Sequence, residues 1–243
     1  MTLETSQRLA VVTGATRGLG WASAVTLAEA GYHIVGLGRT VGALEELDDL
    51  ILKQTGQRAT LVPADLQEHD TIDRLGALLY DRFGRVDALV MAAGLLGGLS
   101  PVGHFTPKTW SQVMDVNLTA NYRLIRSLDP LLRQSQAGRV VAFSSGITQR
   151  PRAYWGAYAA SKAGLEAMIR CYADEMISTP VRANLLNPGP MATTMRKQAF
   201  PGENQDTLHA PEKIGPLVLE MCSPEFTGTG DLINLKDWAA ETA

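Results

Sequence analysis

The 243-residue chain lacks the features that mark several protein classes. It has two cysteines, Cys171 and Cys222, and neither their number nor their spacing fits a disulfide framework or a zinc site. We interpret both as buried free thiols. The four histidines are scattered along the chain, so the sequence predicts no metal site.

The chain also lacks a large excess of either positive or negative charge. The chain has 22 Lys and Arg residues against 25 Asp and Glu residues, a net charge of −3, and no basic run exceeds two residues. These counts indicate neither a nucleic-acid partner nor an anionic membrane partner. The first ten residues lack a signal-peptide pattern and no apolar run could span a membrane, so we expect a cytoplasmic protein.

The chain does contain apolar runs that alternate with helical patterns. Seven runs rich in Val, Ile and Leu predict strands buried on both faces: Leu9 to Val12, His33 to Leu37, Ala59 to Val62, Ala88 to Met91, Val140 to Phe143, Val181 to Leu186 and Leu232 to Leu235. Between them apolar residues recur at helical spacing, as at Ile72, Leu75, Leu78 and Leu79. The alternation predicts an α/β fold, a doubly wound parallel sheet that binds ligands at the carboxyl ends of its strands.

No repeat or linker divides the chain, so residues 1–243 are predicted to form one domain. The stretch 188–211 has no clear period and holds four prolines. Because long loops in compact domains are commonly functional, we expect a mobile substrate loop there. A short helix is predicted near Ala192 to Gln198.

A glycine-rich turn follows the first predicted strand. It reads Thr13-Gly14-Ala15-Thr16-Arg17-Gly18-Leu19-Gly20, and a helical pattern begins after it. Glycines permit a tight turn and let backbone approach a pyrophosphate, which the positive end of the next helix attracts. The turn therefore predicts a dinucleotide site, although many glycines only form turns.

The second predicted strand ends without a carboxylate. An NAD-binding chain typically offers Asp or Glu there to the ribose 2′-hydroxyl. This chain has Arg39 instead, and Arg17 in the glycine-rich turn could provide a second guanidinium for a 2′-phosphate. We expect NADP(H) as the cofactor. The alternative is that either arginine is a solvated surface charge.

Three later residues fit a carbonyl-reducing site. Tyr158 and Lys162 are four residues apart, so on a helix they share a face, and Ser145 follows the fifth predicted strand. A nearby ammonium favours the phenolate and would bring the phenol pKa toward neutrality, while a serine hydroxyl can hold a substrate oxygen. Taken alone, the same residues fit a helix surface pair and a turn serine.

The order and spacing of these motifs, over essentially the whole chain, resemble the short-chain dehydrogenase/reductase family in its short single-domain branch. The resemblance implies a Rossmann fold with a seven-stranded parallel sheet in the order 3-2-1-4-5-6-7. It also implies that Asn117 is a fourth catalytic residue beside Ser145, Tyr158 and Lys162. A homodimer or homotetramer is expected on the same ground.

The glycine-rich turn and the resemblance together give a set of cofactor-binding residues. In that set, Asp65 would contact adenine and Thr193 the carboxamide of the nicotinamide. The full set is Thr13, Gly14, Thr16, Arg17, Gly18, Leu19, Gly20, Arg39, Asp65, Leu66, Ala92, Ala93, Gly94, Tyr158, Lys162, Pro188, Gly189, Met191 and Thr193.

The substrate is less well defined. Leu95, Tyr154 and Met195, with Ser145, are expected around an apolar pocket, although the apolar residues could equally be core packing under the loops. Four basic residues near the expected mouth could attract an acidic carrier or be ordinary surface charge: Arg150, Arg152, Arg196 and Lys197.

The function expected from the sequence is hydride transfer between NADP(H) and a carbonyl or alcohol. An apolar ketone, an aldehyde or a 3-oxoacyl thioester would suit the pocket, and the stretch from Met195 to Pro201 resembles bacterial 3-oxoacyl-carrier-protein-reductase-like members of the family. Two alternatives remain open: an NADP(H)-sensing regulatory protein without turnover, and an epimerase or dehydratase that uses the cofactor transiently.

Two departures from the family pattern stand out. Ala92 occupies the place of the usual Asn in Asn-Ala-Gly, and we expect the lost amide to cost about 1 kcal/mol of stability without loss of activity. The C-terminal sequence keeps the last strand but lacks the usual Asp-Gly-Gly, which leaves the C-terminal oligomer contact undefined.

Overall fold

A seven-stranded parallel sheet forms the centre of the molecule. The computed structural model describes residues 7–242. Its strands are β1 Leu9–Thr13, β2 His33–Gly38, β3 Thr60–Pro63, β4 Ala88–Met91, β5 Arg139–Phe143, β6 Arg182–Asn187 and β7 Leu232–Asn234. They lie in the order β3-β2-β1-β4-β5-β6-β7, so the predicted fold class and strand order are confirmed. Each predicted strand matches within one residue at either end.

Helices connect the strands and cover both faces of the sheet. They are α1 Gly18–Glu29, α2 Val41–Thr55, α3 His69–Phe83, α4 Pro107–Met114, α5 Ala120–Gln134, α6 Gly156–Glu175, α7 Thr194–Ala199, α8 Gly215–Cys222 and α9 Leu235–Glu241. A π-helical turn, Asp115–Thr119, joins α4 to α5. The short helix expected near Ala192 to Gln198 is α7.

The sheet divides the core into two layers because successive strand residues point to opposite faces. In β1, Leu9 and Val11 pack in one layer with apolar residues of α3, α5 and α6. Ala10 and Val12 pack in the other layer with residues of α1, α2 and α8. Every residue of β1 is buried, which explains the continuous apolar run in the sequence.

The strand order places a crevice beside β1. β1 pairs with β2 on one side and with β4 on the other. The sheet therefore grows outward from β1 in both directions, first through β2 and β3 and then through β4 to β7. Ligands of open α/β sheets bind at such a switch point, outside the carboxyl ends of the strands. The glycine-rich turn and the segment after β4 both lie at this edge.

Three sequence-based expectations about burial were wrong. Of the seven strands expected to be buried on both faces, the edge strands β3 and β7 are only partly buried. Cys222 is fully buried, but Cys171 is exposed on α6. Leu78 of α3 is 64% exposed, although its spacing fits the apolar pattern of that helix. Within residues 7–242, none of the helices combines the length and the apolar character that a membrane crossing requires.

Candidate active site

The glycine-rich turn packs tightly against the segment that follows β4. Gly14 has a φ of +67°, and a Cβ there would lie 2.9 Å from the Cα of Ala93. A Cβ at Gly20 would lie 2.2 Å from the carbonyl oxygen of Gly14. Only glycine fits these two positions, so the turn can present bare backbone to a phosphate at the start of α1.

Other predicted cofactor residues meet this turn. The backbone N–H of Ala93 donates to Thr13 Oγ1 at 3.2 Å. Thr193, in the segment after β6, has its Cγ2 3.5 Å from the position that a Cβ of Gly18 would occupy. The structure therefore brings residues from the ends of β1, β4 and β6 to one crevice.

Arg39 and Arg17 follow β2 and β1, at the carboxyl edge of the sheet. The Arg39 side chain follows β2 and is 63% exposed, with its Nη1 3.9 Å from Asp65 Oδ2. Arg17 is exposed and immediately precedes α1. Leu66, the next residue after Asp65, is buried. Both arginines are thus accessible to solvent and to an anionic ligand.

The π-helical turn holds Asn117 in the interior. Its Oδ1 accepts a hydrogen bond from Leu95 N at 2.7 Å, and its Nδ2 donates to Leu95 O at 2.9 Å and to Ser161 Oγ at 3.0 Å. The Asn117 carbonyl oxygen accepts from Asn121 Nδ2 at 2.8 Å. Asn117 therefore links the segment after β4 to α6, a contact that the sequence does not reveal.

Ser145, Tyr158 and Lys162 converge at the carboxyl end of β5. Ser145 and Tyr158 both line the cavity at this end, and the Ser145 side chain is near enough to affect the Tyr158 phenol. Lys162 Nζ lies 6.0 Å from the centroid of the Tyr158 ring and donates to the Phe143 carbonyl oxygen at 2.7 Å. A Cβ at Gly94 would be 3.9 Å from that nitrogen. The predicted phenol, hydroxyl and ammonium thus share one site.

The protonation of this site is governed by burial. Burial raises the pKa of the Tyr158 phenol, and the nearby Ser145 side chain opposes this rise only in part. Burial also lowers the pKa of Lys162 to about 8, against the opposing effect of the Glu166 carboxylate. From the sequence we expected Lys162 to lower the phenol pKa. Desolvation dominates instead, since the charged forms of both groups lose hydration.

A cavity of about 410 Å³ opens above these residues. Seven predicted cofactor residues line it besides Tyr158 and Lys162: Leu19, Ala92, Gly94, Pro188, Gly189, Met191 and Thr193. The predicted substrate residues Ser145 and Met195 also line it. Its remaining wall is largely apolar, from Leu96, Ile147, Trp155 and Phe200. The cavity could therefore hold an apolar molecule beside the phenol.

Two predicted substrate residues lie elsewhere. Leu95 lines a neighbouring depression, and its backbone is held by Asn117. Tyr154 is 57% exposed at a φ of +73°, and it does not line the cavity. Ile147 lines the cavity but has no polar group or motif that would single it out in the sequence.

The segment 188–211 covers one side of the cavity. The Arg196 guanidinium forms two hydrogen bonds with the Glu203 carboxylate, at 2.6 and 2.5 Å, and stacks 3.9 Å above the Phe200 ring. The Phe200 ring lies 5.7 Å from that of Trp155. Arg196 lines the cavity together with Arg150 and Arg152, but its guanidinium is already paired with Glu203.

Comparison with known proteins agrees with this geometry. The short chain dehydrogenase family model matches residues 8–204. The uncharacterized oxidoreductase YciK of Escherichia coli K12 is 37% identical over 216 residues, which are 88% of this chain and 85% of that protein. A short chain dehydrogenase of Shigella flexneri 2a complexed with NADP superposes with a TM-score of 0.90 at 35% identity, over 94% of this chain and 97% of that one. One of Escherichia coli CFT073 complexed with NADPH has the same TM-score and identity, over 94% and 96%.

Proposed function

The chain belongs to the short chain dehydrogenase family, and we propose that it is an NADP(H)-dependent oxidoreductase that transfers hydride between nicotinamide and a carbonyl or alcohol substrate. The observation that carries the proposal is the convergence of Ser145, Tyr158 and Lys162 at a cavity beside the glycine-rich turn. A phenol, a hydroxyl and an ammonium in one buried site can hold a carbonyl oxygen and give it a proton.

NADP(H) is the proposed cofactor because the crevice fits a phosphorylated dinucleotide. Gly14 and Gly20 pack against backbone too closely for any side chain, so the turn is tight and can present its backbone N–H groups to a pyrophosphate at the start of α1. Arg39 offers an exposed cation after β2, where an NAD-specific site has a carboxylate. The two related structures with bound NADP and NADPH support the same choice.

The bound nicotinamide would supply or accept the hydride. The protein's own residues would manage the oxygen and its proton. Ser145 would hold the substrate oxygen beside Tyr158, whose raised pKa keeps the phenol protonated and ready to donate at neutral pH. Lys162 is protonated below a pH of about 8 and would stabilise the phenolate left after donation.

The substrate is proposed to be an apolar ketone, an aldehyde or a 3-oxoacyl thioester. The walls contributed by Ile147, Trp155, Met195 and Phe200 favour an apolar body next to the reacting carbonyl. The carrier end of a bulky thioester would extend out of the cavity past Arg150, whose charge could attract an acidic carrier.

A screen of carbonyl compounds with NADPH tests the activity. We expect NADPH oxidation with at least one apolar carbonyl, and a loss of about 100-fold or more in kcat for Tyr158→Phe, because general acid catalysis typically contributes about 10²- to 10⁴-fold. Tyr80→Phe is the matched control, since Tyr80 is exposed on α3. Tight NADPH binding with no turnover on any compound would instead indicate a sensor of NADPH.

Cofactor choice has a separate test. Arg39→Asp should invert the preference for NADPH over NADH, because it replaces a cation by the carboxylate that suits a ribose 2′-hydroxyl. The ratio of kcat/KM for the two cofactors measures this. An unchanged ratio would remove Arg39 from the proposed 2′-phosphate site.

The assembly is proposed to be a homodimer or homotetramer. The helices next to Asn117 and Tyr158 are the expected contact, and Tyr122 of α5 is half exposed there. Sedimentation analysis of the full chain would measure the subunit number, and a monomer at micromolar concentration would contradict this expectation.

A further inference from the structure

Helix α6 carries a third ionisable residue on the face that holds the phenol and the ammonium. Tyr158, Lys162 and Glu166 follow each other at intervals of four residues, so they lie one turn apart. Glu166 is only 7% exposed. A carboxylate this buried needs partners that compensate for its lost hydration.

The partners of Glu166 surround the candidate catalytic serine. One carboxylate oxygen, Oε1, accepts hydrogen bonds from the Ser144 hydroxyl and, at 2.7 Å, from Thr148 Oγ1. Ser144 immediately precedes Ser145 and Thr148 follows it by three residues. The same carboxylate therefore holds the chain on both sides of Ser145.

The segment 144–148 is fixed further by its backbone. Ser144 N donates to Leu186 O at 2.8 Å, which ties the segment to β6. Thr148 Oγ1 also approaches the Ser145 carbonyl oxygen at 2.9 Å, which closes the turn around the serine. The Glu166 carboxylate thus connects this turn to α6, where Tyr158 and Lys162 are located.

We propose that Glu166 is a positioning residue that sets the Ser145 hydroxyl in register with Tyr158 and Lys162 by holding Ser144 and Thr148. This inference rests on the proposed function. Glu166 does not itself line the cavity. It contacts the lining residue Ser144 from behind and acts through the segment 144–148, the serine turn.

The charge of Glu166 gives the same residue a second effect. Its carboxylate counters the burial that lowers the pKa of Lys162. Glu166 also pairs with Arg170 Nη2 at 3.2 Å. The charged or titratable groups facing this part of α6 are thus Tyr158, Lys162 and Arg170 on the helix itself. β5 contributes the Phe143 carbonyl, and the serine turn contributes the hydroxyls of Ser144 and Thr148. The π-helical turn contributes the neutral Asn117 amide.

Two substitutions separate the positioning effect from the charge effect. Thr148→Val removes one donor to the carboxylate, together with the contact of that hydroxyl to the Ser145 carbonyl oxygen, and keeps the charge of Glu166. Glu166→Gln keeps an acceptor oxygen for both hydroxyls and removes the charge. Glu175→Gln, at an exposed position of the same helix, is the matched control. All are made in the full chain and assayed with NADPH and a carbonyl compound that the wild type reduces.

We expect Thr148→Val to lower kcat about 10- to 100-fold, because small displacements of a catalytic group cost up to about 10²-fold. Its Kd for NADPH should stay within a factor of two of the wild-type value, since the glycine-rich turn is untouched. Glu166→Gln should shift the basic limb of the kcat/KM profile to lower pH. Glu175→Gln should match the wild type in both measurements.

A measurement without turnover distinguishes this inference from the proposed function. Titration of Lys162 by NMR should give a lower pKa in Glu166→Gln than in the wild type. An unchanged Lys162 pKa, or a wild-type kcat in Thr148→Val, would overturn the role of Glu166 while leaving the oxidoreductase intact. If the wild type reduces no carbonyl, the proposed function fails and the NMR titration still decides whether Glu166 acts on Lys162.

Discussion

The substitution Gly20→Ala gives a direct test of the glycine-rich turn. A Cβ at this position would lie 2.2 Å from the Gly14 carbonyl oxygen and 2.9 Å from the Thr13 carbonyl oxygen. Ordinary van der Waals contact begins at 3.4 Å. Both obstacles are backbone atoms, so no side-chain rotation relieves the overlap, and the turn must move by about 1 Å.

Two opposing energies set the size of the effect on stability. Alanine favours the interior of α1 over glycine by up to about 1 kcal/mol. Overpacking typically costs about 1–3 kcal/mol. The net loss in the free energy of unfolding should therefore be small, about 0–2 kcal/mol. The effect on the cofactor should be larger, because the displaced backbone N–H groups are those that would face the phosphates.

The assay is NADPH binding followed by fluorescence, together with chemical unfolding of the same variant. We expect Kd for NADPH to rise about 100-fold, the loss that follows a displacement of about 1 Å. Gly42→Ala is the control, because a Cβ there meets no atom within 4 Å and α2 gains from alanine. A folded Gly20→Ala variant that binds NADPH as tightly as Gly42→Ala would refute the assignment of the turn.

Three further predictions follow from burial and charge. A thiol reagent should label Cys171 in the native protein and Cys222 only after unfolding, because Cys222 is fully buried and burial raises its pKa to about 12; mass spectrometry of the labelled peptides measures this, and native labelling of Cys222 would contradict it. Burial lowers the pKa of Lys162 from 10.5 to about 8. Burying the charged ammonium therefore destabilises the folded protein fully below pH 8, and this destabilisation disappears as pH rises toward 10.5. The unfolding free energy of the wild type should therefore rise relative to Lys162→Met across that range, by on the order of 3 kcal/mol, and parallel curves would contradict the assignment. Ala92→Asn should raise the free energy of unfolding by about 1 kcal/mol in urea titration with kcat unchanged, and a lower midpoint would show that the amide does not fit.

Much of the fold was predictable from residue pattern alone. Parallel strands buried on both faces leave continuous apolar runs. All seven strands follow such runs closely, although the edge strands β3 and β7 are only partly buried. The site was predictable where function imposes fixed spacing on the chain. Gly14 and Gly20 precede and open α1, and Tyr158 and Lys162 are one helical turn apart.

The rest depends on contacts between distant segments. Nothing local predicts that Asn117 lies in a π-helical turn, since its partners Leu95 and Ser161 are far away in sequence. Glu166 has the sequence context of a surface residue, yet it is buried and hydrogen-bonded to the serine turn, at least 18 residues away in sequence. The pKa of Tyr158 is raised because the phenol is buried. The four-residue spacing from Lys162 gives no information about that burial.

The pairing of Arg196 with Glu203 lies entirely within the segment that covers the cavity. The ion pair therefore does not tie this segment to the rest of the chain. The ring contact between Phe200 and Trp155, in contrast, joins the segment to a residue outside it. Access to the cavity should consequently depend on temperature, through the apolar contact, and respond only weakly to added salt.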